Sequence, residues 1–253
     1  MRFHGDRARL GSRGSLQGTE RMSHEHASQE AHLFETLVGS GARDPSRAER
    51  WRGALTLVLY AGELDRAREI VREAAEDMPV ASMLDDVLAP AMHNIGLLWE
   101  LNVITVADEH LATVVAHRLL GEVAAALTVA PAGTRARVLL ATLPAERHTF
   151  GLMMANEVLY GAGYETVMLG PGVPGQDLSA ALLRHQPAIV ALSSTIPDAE
   201  ALRATAKMVR HTLPGARLLT GGAAAQILAP GIPTRHVARL DGLLDATEAV
   251  LEA

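Results

Sequence analysis

Apolar positions recur at three- and four-residue steps through the first half of the chain and then give way to short apolar runs. Leu33, Leu37 and Val38 open the helical pattern, Leu55, Leu59 and Leu64 continue it, and Ile70, Val71 and Ala74 follow. Leu84, Leu88, Ala91, Ile95 and Leu98 make one apolar stripe, and a long helix is predicted from about Val106 to Leu127. Breaks near Gly62, Pro79 and Asn102 leave only short turns between these segments. The pattern predicts an antiparallel bundle of four or five helices over residues 29–129.

The stretch 129–136, VAPAGTRA, has linker character, and beyond it the period changes. RVLLATL (137–143), ETVMLG (165–170), AIVALSS (188–194) and RLLTGG (217–222) read as strands, with a weaker fifth at 235–239. Helical stretches at 149–162, 175–186, 198–212, about 223–229 and 241–252 alternate with them. Strand and helix alternating at this spacing predict a Rossmann-like, doubly wound parallel sheet over residues 136–253. The expected fold class is therefore α + α/β, a helical bundle followed by a Rossmann-like domain.

Composition narrows the function classes. A formal charge of −6 leaves no overall basic footprint for nucleic acid. Residues 1–28 carry Arg2, Arg7, Arg9 and Arg13 without helical period and read as a disordered, solvated tail. The chain has no cysteine, which excludes disulfides, thiolate metal sites and thioether-linked chromophores. No signal-peptide core or membrane-length apolar run is present, so a cytoplasmic protein is expected.

Ligands of doubly wound sheets gather at the carboxyl ends of the strands. Three features fall there: Glu146-x-His148-x-x-Gly151 after strand 1, Ser193-Ser194-Thr195 after strand 3, and Gly221-Gly222 after strand 4. Each also has a plainer reading. The histidine can be a cap or surface residue, the hydroxyl run can cap the next helix, and the glycine pair can be a turn. Their convergence on one sheet edge favours a site. A neutral imidazole is a good transition-metal ligand, and a carboxylate two residues away can hold its other nitrogen. Glycines let a ligand approach the backbone. A single histidine holds a free ion poorly, so the metal is expected inside a macrocycle.

These residues resemble the cobalamin-binding domains of methionine synthase, corrinoid carriers and CarH-type light-sensing regulators. The family pattern is Asp/Glu-x-His-x-x-Gly, then Ser-x-Leu/Thr, then Gly-Gly. Here 41 residues separate Gly151 from Ser193 and 25 separate Thr195 from Gly221, close to the family spacing. The resemblance implies that His148 displaces the cofactor's benzimidazole and binds cobalt from below. It also implies that the detached nucleotide tail enters a slot beside Ser193, Thr195, Gly221 and Gly222. Glu146 replaces the commoner Asp, and its extra methylene predicts a longer or water-mediated hydrogen bond to His148.

In the bundle, Trp99 precedes Glu109-His110 by nine intervening residues. The spacing is open to a core anchor followed by a solvated helix step, yet it resembles the Trp-x9-Glu-His signature of CarH-type photoreceptors. That resemblance implies that Trp99 and Glu109 pack around the adenosyl group of adenosylcobalamin, the aromatic face by stacking and the carboxylate by accepting ribose hydrogen bonds. In DNA-binding members a histidine directly after the Trp caps cobalt after illumination. Here that position is Glu100, leaving His93, His110 and His117 as candidates.

The implied function is a cobalamin light sensor and not an enzyme. The alternative is a corrinoid carrier of a methyltransferase system, and an adenosylcobalamin-dependent enzyme module is disfavoured by the lack of a substrate barrel. No MerR-type recognition helix is legible, so direct DNA binding and membrane contact are not expected. Signalling through homo-oligomerisation or a downstream protein is. Relatives that pair cobalamin with a bilin make biliverdin a candidate second chromophore, bound noncovalently for want of a cysteine.

Overall fold

The computed structural model describes residues 46–127, 135–195, 197–222 and 234–252. The arginine-bearing tail, Leu33, Leu37 and Val38, most of the linker and the helix expected at 223–229 lie outside the described residues. The bundle begins with α1 (Arg47–Tyr60) and α2 (Leu64–Asp77), followed by the short α3 (Val80–Met83). Then come α4 (Ala89–Glu100) and α5 (Val106–Leu127). Ser46 and Glu49 form a capping box that starts α1, each side chain serving the other's backbone N–H. Gly62, at φ +73°, turns the chain into α2 in a backbone region costly for any side chain.

The stripe read as one helix from Leu84 to Leu98 is divided. Leu84–Leu88 form a π-helical turn between α3 and α4, which widens the helix where it meets the second domain. Asp85 and Asp86 lie in that turn.

The second domain is a five-stranded parallel sheet in the order β2-β1-β3-β4-β5. Its strands are β1 (Arg137–Thr142), β2 (Glu165–Met168), β3 (Ile189–Ser193), β4 (Arg217–Gly221) and β5 (Arg235–Val237). The chain runs outward from β1 to β2 and then returns past β1 to β3. The switch point, where crossovers diverge and leave a crevice, lies at the carboxyl ends of β1 and β3. The register sets Thr142 beside Ser193 and Ser193 beside Gly221, so the ends of three strands lie level.

Helices cover both faces. α6 (Phe150–Gly161) and α9 (Leu243–Glu252) pack on one, and α7 (Gly175–His185) and α8 (Ala199–Thr212) on the other. Alternation along the strands sorts the core accordingly. Val138, Leu140, Ile189 and Leu219 join a cluster continuous with Leu84, Leu88, Ile95 and Leu98 of the bundle, while Leu139, Val190 and Leu218 face α7 and α8. The two domains therefore share one apolar core across the α6 face of the sheet. Among the described residues, no helix is long and apolar enough to cross a membrane.

Candidate functional site

The turn after β1 places a buried carboxylate under an exposed imidazole. Glu146 is held from the main chain, its N–H donating to Leu143 O at 2.9 Å and its carbonyl accepting from the Thr142 hydroxyl at 3.3 Å. Its side chain is only 1% exposed. Oε1 accepts from the His148 backbone N–H at 2.8 Å and contacts His148 Nδ1 at 2.6 Å. Oε2 accepts from the Thr195 N–H at 2.6 Å and from the Thr195 hydroxyl at 2.5 Å. Burial pushes this carboxyl up, but the Thr195 and His148 donors outweigh it and hold the group down at about 2.

An ionised Glu146 makes Nδ1 the protonated ring nitrogen of His148 and leaves the Nε2 lone pair outward on a side chain 72% exposed. The hydrogen bond is direct at 2.6 Å, which corrects the expectation of a longer or water-mediated contact. The extra methylene is accommodated because Thr195, across the switch point, pulls the second oxygen into place.

The loop after β3 thus serves the site and not the next helix. Asp198 caps α8, accepting from the Ala201 N–H at 2.8 Å, while Thr195 clamps Glu146. The glycine pair divides in role. Gly222 sits at φ +88°, and a Cβ there would lie 2.4 Å from the Ser194 carbonyl oxygen, so strand approach demands glycine. At Gly221 a Cβ would meet only Val237 O at 3.6 Å, and at Gly151 it would meet nothing within 4 Å. Protein packing does not require glycine at those two positions.

All three glycines, with Ser193, line one cavity of about 240 Å³ beneath the sheet edge. Much of its wall is apolar or small, from Ala191 and Leu219 of the sheet, Leu152, Met154 and Ala155 of α6, and Leu240 and Leu243 beyond β5. Asp85 and Ala89 of the bundle close one side. The sequence singled out neither of these nor Arg239, which also lines the cavity. Asp85 accepts from the Asp241 N–H at 3.0 Å, and Arg239 bridges to Asp86 at 3.0 Å and Asp241 at 3.1 Å. No local signal distinguishes these residues from other surface charges.

On the bundle, Trp99 ends α4 with 46% of its surface exposed. Glu109, in the first turn of α5, contacts His110 Nδ1 through Oε2 at 2.6 Å and accepts from the Thr113 hydroxyl through Oε1 at 2.8 Å. His93 is exposed on α4. His117 is half-buried, its ring 5.4 Å from that of Phe150, the first residue of α6. Among the described residues, no hydrogen bond or ring contact joins Trp99, Glu109 or His110 directly to His148.

The B12 binding domain description matches residues 51–123 in one form and residues 136–241 in another, covering both the bundle and the sheet domain. The chain belongs to the B12-binding family. As a B12-binding chain it is 34% identical over 194 residues to the HTH-type transcriptional repressor CarH of Myxococcus xanthus, a match over 75% of this chain and 64% of that protein. With the HTH-type transcriptional repressor CarA of the same organism it shares 29% identity over 196 residues, 76% of this chain and 66% of that one. It therefore spans just under two thirds of the length of these curated relatives. The monomethylamine corrinoid protein of Methanosarcina barkeri has the same fold, with a TM-score of 0.61 at 15% identity over 78% of this chain and 95% of that one.

The residues of the sheet edge fit the family's cofactor. The carboxylate-backed imidazole of His148 would have one nitrogen available for cobalt, open space lies beside Gly151, and the cavity beside Ser193 and Gly221 would suit a detached heterocyclic tail.

Proposed function

We propose that this protein is a light sensor that uses adenosylcobalamin, which His148 would hold through its cobalt and whose adenosyl group Trp99 and Glu109 would recognise. When bound, the cofactor supplies a cobalt–carbon bond that visible light breaks. The observation that carries the reading is Trp99, a large aromatic left half exposed near the end of α4, beside the exposed apolar side chains of Leu101 and Val106. Glu109 lies in the next helix with its carboxylate oriented by Thr113 and His110. A stacking face and a hydrogen-bond acceptor together suit an adenosyl group, whereas a methyl group uses neither.

His148 binds and Glu146 fixes its tautomer. The apolar cavity excludes water from the tail, and Trp99 with Glu109 recognises the upper substituent. Without that substituent Trp99 and Glu109 would lack their partner, and the bundle would be free to shift toward a different packing on the sheet domain. The change passes to a partner protein or to assembly of further copies, without direct DNA contact by these two domains. A noncovalent bilin such as biliverdin belongs to the proposal as a second pigment, and organic extraction of the purified protein tests for it.

The experiment is absorbance and light scattering of protein loaded with adenosylcobalamin in the dark, before and after green light. The sensor reading expects a spectral change unlike that of free cofactor together with a change in assembly or compactness. A light response identical to the free cofactor's, with no change in the protein, sinks it. The second reading, a corrinoid carrier, is favoured by the common fold with a corrinoid protein. It expects methylcobalamin to bind at least as tightly as adenosylcobalamin.

A further inference from the structure

The cavity beside Gly221 and Gly222 is lined mainly by apolar and small groups, yet one wall carries a carboxylate. Asp85 stands there with its side chain only 11% exposed. The bundle supplies it through the π-helical turn Leu84–Leu88, and Ala89, directly after the turn, lines the same cavity. A carboxylate set against an apolar space is costly unless donors satisfy it. Burial pushes the Asp85 carboxyl up, and the backbone N–H groups of Leu240 and Asp241 and the charge of Arg239 only partly offset that.

The tie to the sheet domain does not use up this group. Asp85 Oδ2 accepts from the Asp241 N–H at 3.0 Å and lies 3.8 Å from Arg239 Nη2. A carboxylate has about four acceptor sites, so capacity remains for a donor inside the cavity. The other polar side chains of the lining do not duplicate it. Arg239 directs its guanidinium to Asp86 and Asp241, at 3.0 and 3.1 Å. Ser193 carries a neutral hydroxyl that donates or accepts as required, and so does not choose between ligands. Thr220 occupies the strand position that alternates to the opposite face of the sheet, with Leu218.

We propose that Asp85 selects the corrinoid by its lower base, favouring a heterocycle whose ring edge carries an N–H or O–H donor over dimethylbenzimidazole, whose edge carries methyl groups. This rests on the reading that the detached nucleotide tail enters the cavity. A donor on the base replaces the water that Asp85 loses when the cavity fills, and it does so through a charge-assisted hydrogen bond. Methyl groups cover the remaining acceptor sites of the carboxylate and give nothing back. Most of the discrimination comes from that second case, because a site built to accept a hydrogen bond penalises an analogue that lacks the donor.

The test is equilibrium binding of the full chain to hydroxocobalamin, to the corresponding cobamide with 5-hydroxybenzimidazole as its base, and to cobinamide, which has no tail. The two cobamides share the benzimidazole ring, so the internal cobalt–nitrogen bond that binding breaks is nearly the same in both. Wild type is expected to hold the hydroxybenzimidazole form about tenfold more tightly than cobalamin. Asp85→Leu should bring that ratio to about one. Asp85→Asn serves where the leucine variant fails to fold by circular dichroism, and it should reduce the ratio. Asp86→Asn loosens the same Arg239 contact without lining the cavity, and should leave the ratio at its wild-type value. A merely structural role for Asp85 would instead weaken both cobamides equally. Equal affinity of wild type for the two cobamides, with cobinamide weaker, overturns the proposal and leaves the tail reading standing. So does a preference that survives Asp85→Leu. Cobinamide held as tightly as cobalamin means that the tail lies outside the cavity, and the tail reading falls with the proposal.

Discussion

Asp85, in the π-helical turn of the bundle, accepts a 3.0 Å hydrogen bond from the backbone N–H of Asp241 in the sheet domain. Arg239 completes this clasp, reaching Asp86 at 3.0 Å and Asp241 at 3.1 Å, and Asp85 and Arg239 both line the cavity beside Gly221 and Gly222. The bundle therefore walls the slot proposed for the cofactor tail and is tied to it by a few polar contacts.

Arg239→Ala should cost global stability about 1 kcal/mol or less, because its ion pairs are solvent-screened. Its effect on docking should be larger. Hydrogen exchange of the Leu84–Leu88 and Leu240–Gly242 backbones is expected to quicken in the variant while α8 stays protected. Unchanged exchange in both segments would show that the apolar core alone docks the bundle.

Gly222→Ala and Gly151→Ala should separate folding from binding. At Gly222 the side chain would meet a backbone carbonyl in a left-handed conformation, a loss of at least about 2 kcal/mol in chemical denaturation. At Gly151 a methyl meets no protein atom, so stability should hold or rise by up to about 1 kcal/mol. Cobalamin retention should nevertheless fall, since the methyl intrudes on the cavity. Normal retention in a stable Gly151→Ala protein would place the cofactor elsewhere.

Acid should loosen the lower site by protonating Glu146. Its folded value of about 2 lies below its ordinary 4.5, so its stabilisation is fully present above about pH 5 and is lost as the pH falls from 4.5 through 2. The gap corresponds to roughly 3 kcal/mol at most. Urea midpoints of the apoprotein between pH 6 and pH 3 should therefore decline more steeply in wild type than in Glu146→Gln. Parallel declines would assign the acid sensitivity to other carboxylates.

Trp99→Ala should weaken adenosylcobalamin more than hydroxocobalamin in equilibrium dialysis. Equal losses for both would point to damage of the bundle as a whole, although the exposed ring makes little of its core. Thermal melts of the apoprotein should accordingly change little.

Much of the site was legible because its residues lie close together in the chain or at strand ends. Glu146, His148 and Gly151 share one turn, and the alternation of strands and helices places Ser193, Thr195, Gly221 and Gly222 on the same edge. The direct grip on His148 was not legible. It depends on Thr195, 49 positions from Glu146, reaching across the switch point to share the carboxylate. Nor was the division of the glycine pair, which follows from how closely Gly222 passes the backbone of Ser194. The π-helical turn escaped the periodicity because Leu84, Leu88 and Ala91 keep an apolar stripe whether the ladder closes after four residues or five.

The sequence by itself determined the order of bundle and sheet, the parallel sheet and the residues that meet at its carboxyl edge, because hydrophobic period and short motifs are local properties of the chain. Only the tertiary structure decided what holds His148 and what encloses the cavity beside it. Thr195 on Glu146 and Asp85 on Asp241 join residues 49 and 156 positions apart, so composition and spacing do not record them. The first arises when parallel pairing brings the ends of β1 and β3 together, the second when a shared apolar core sets the bundle against the sheet.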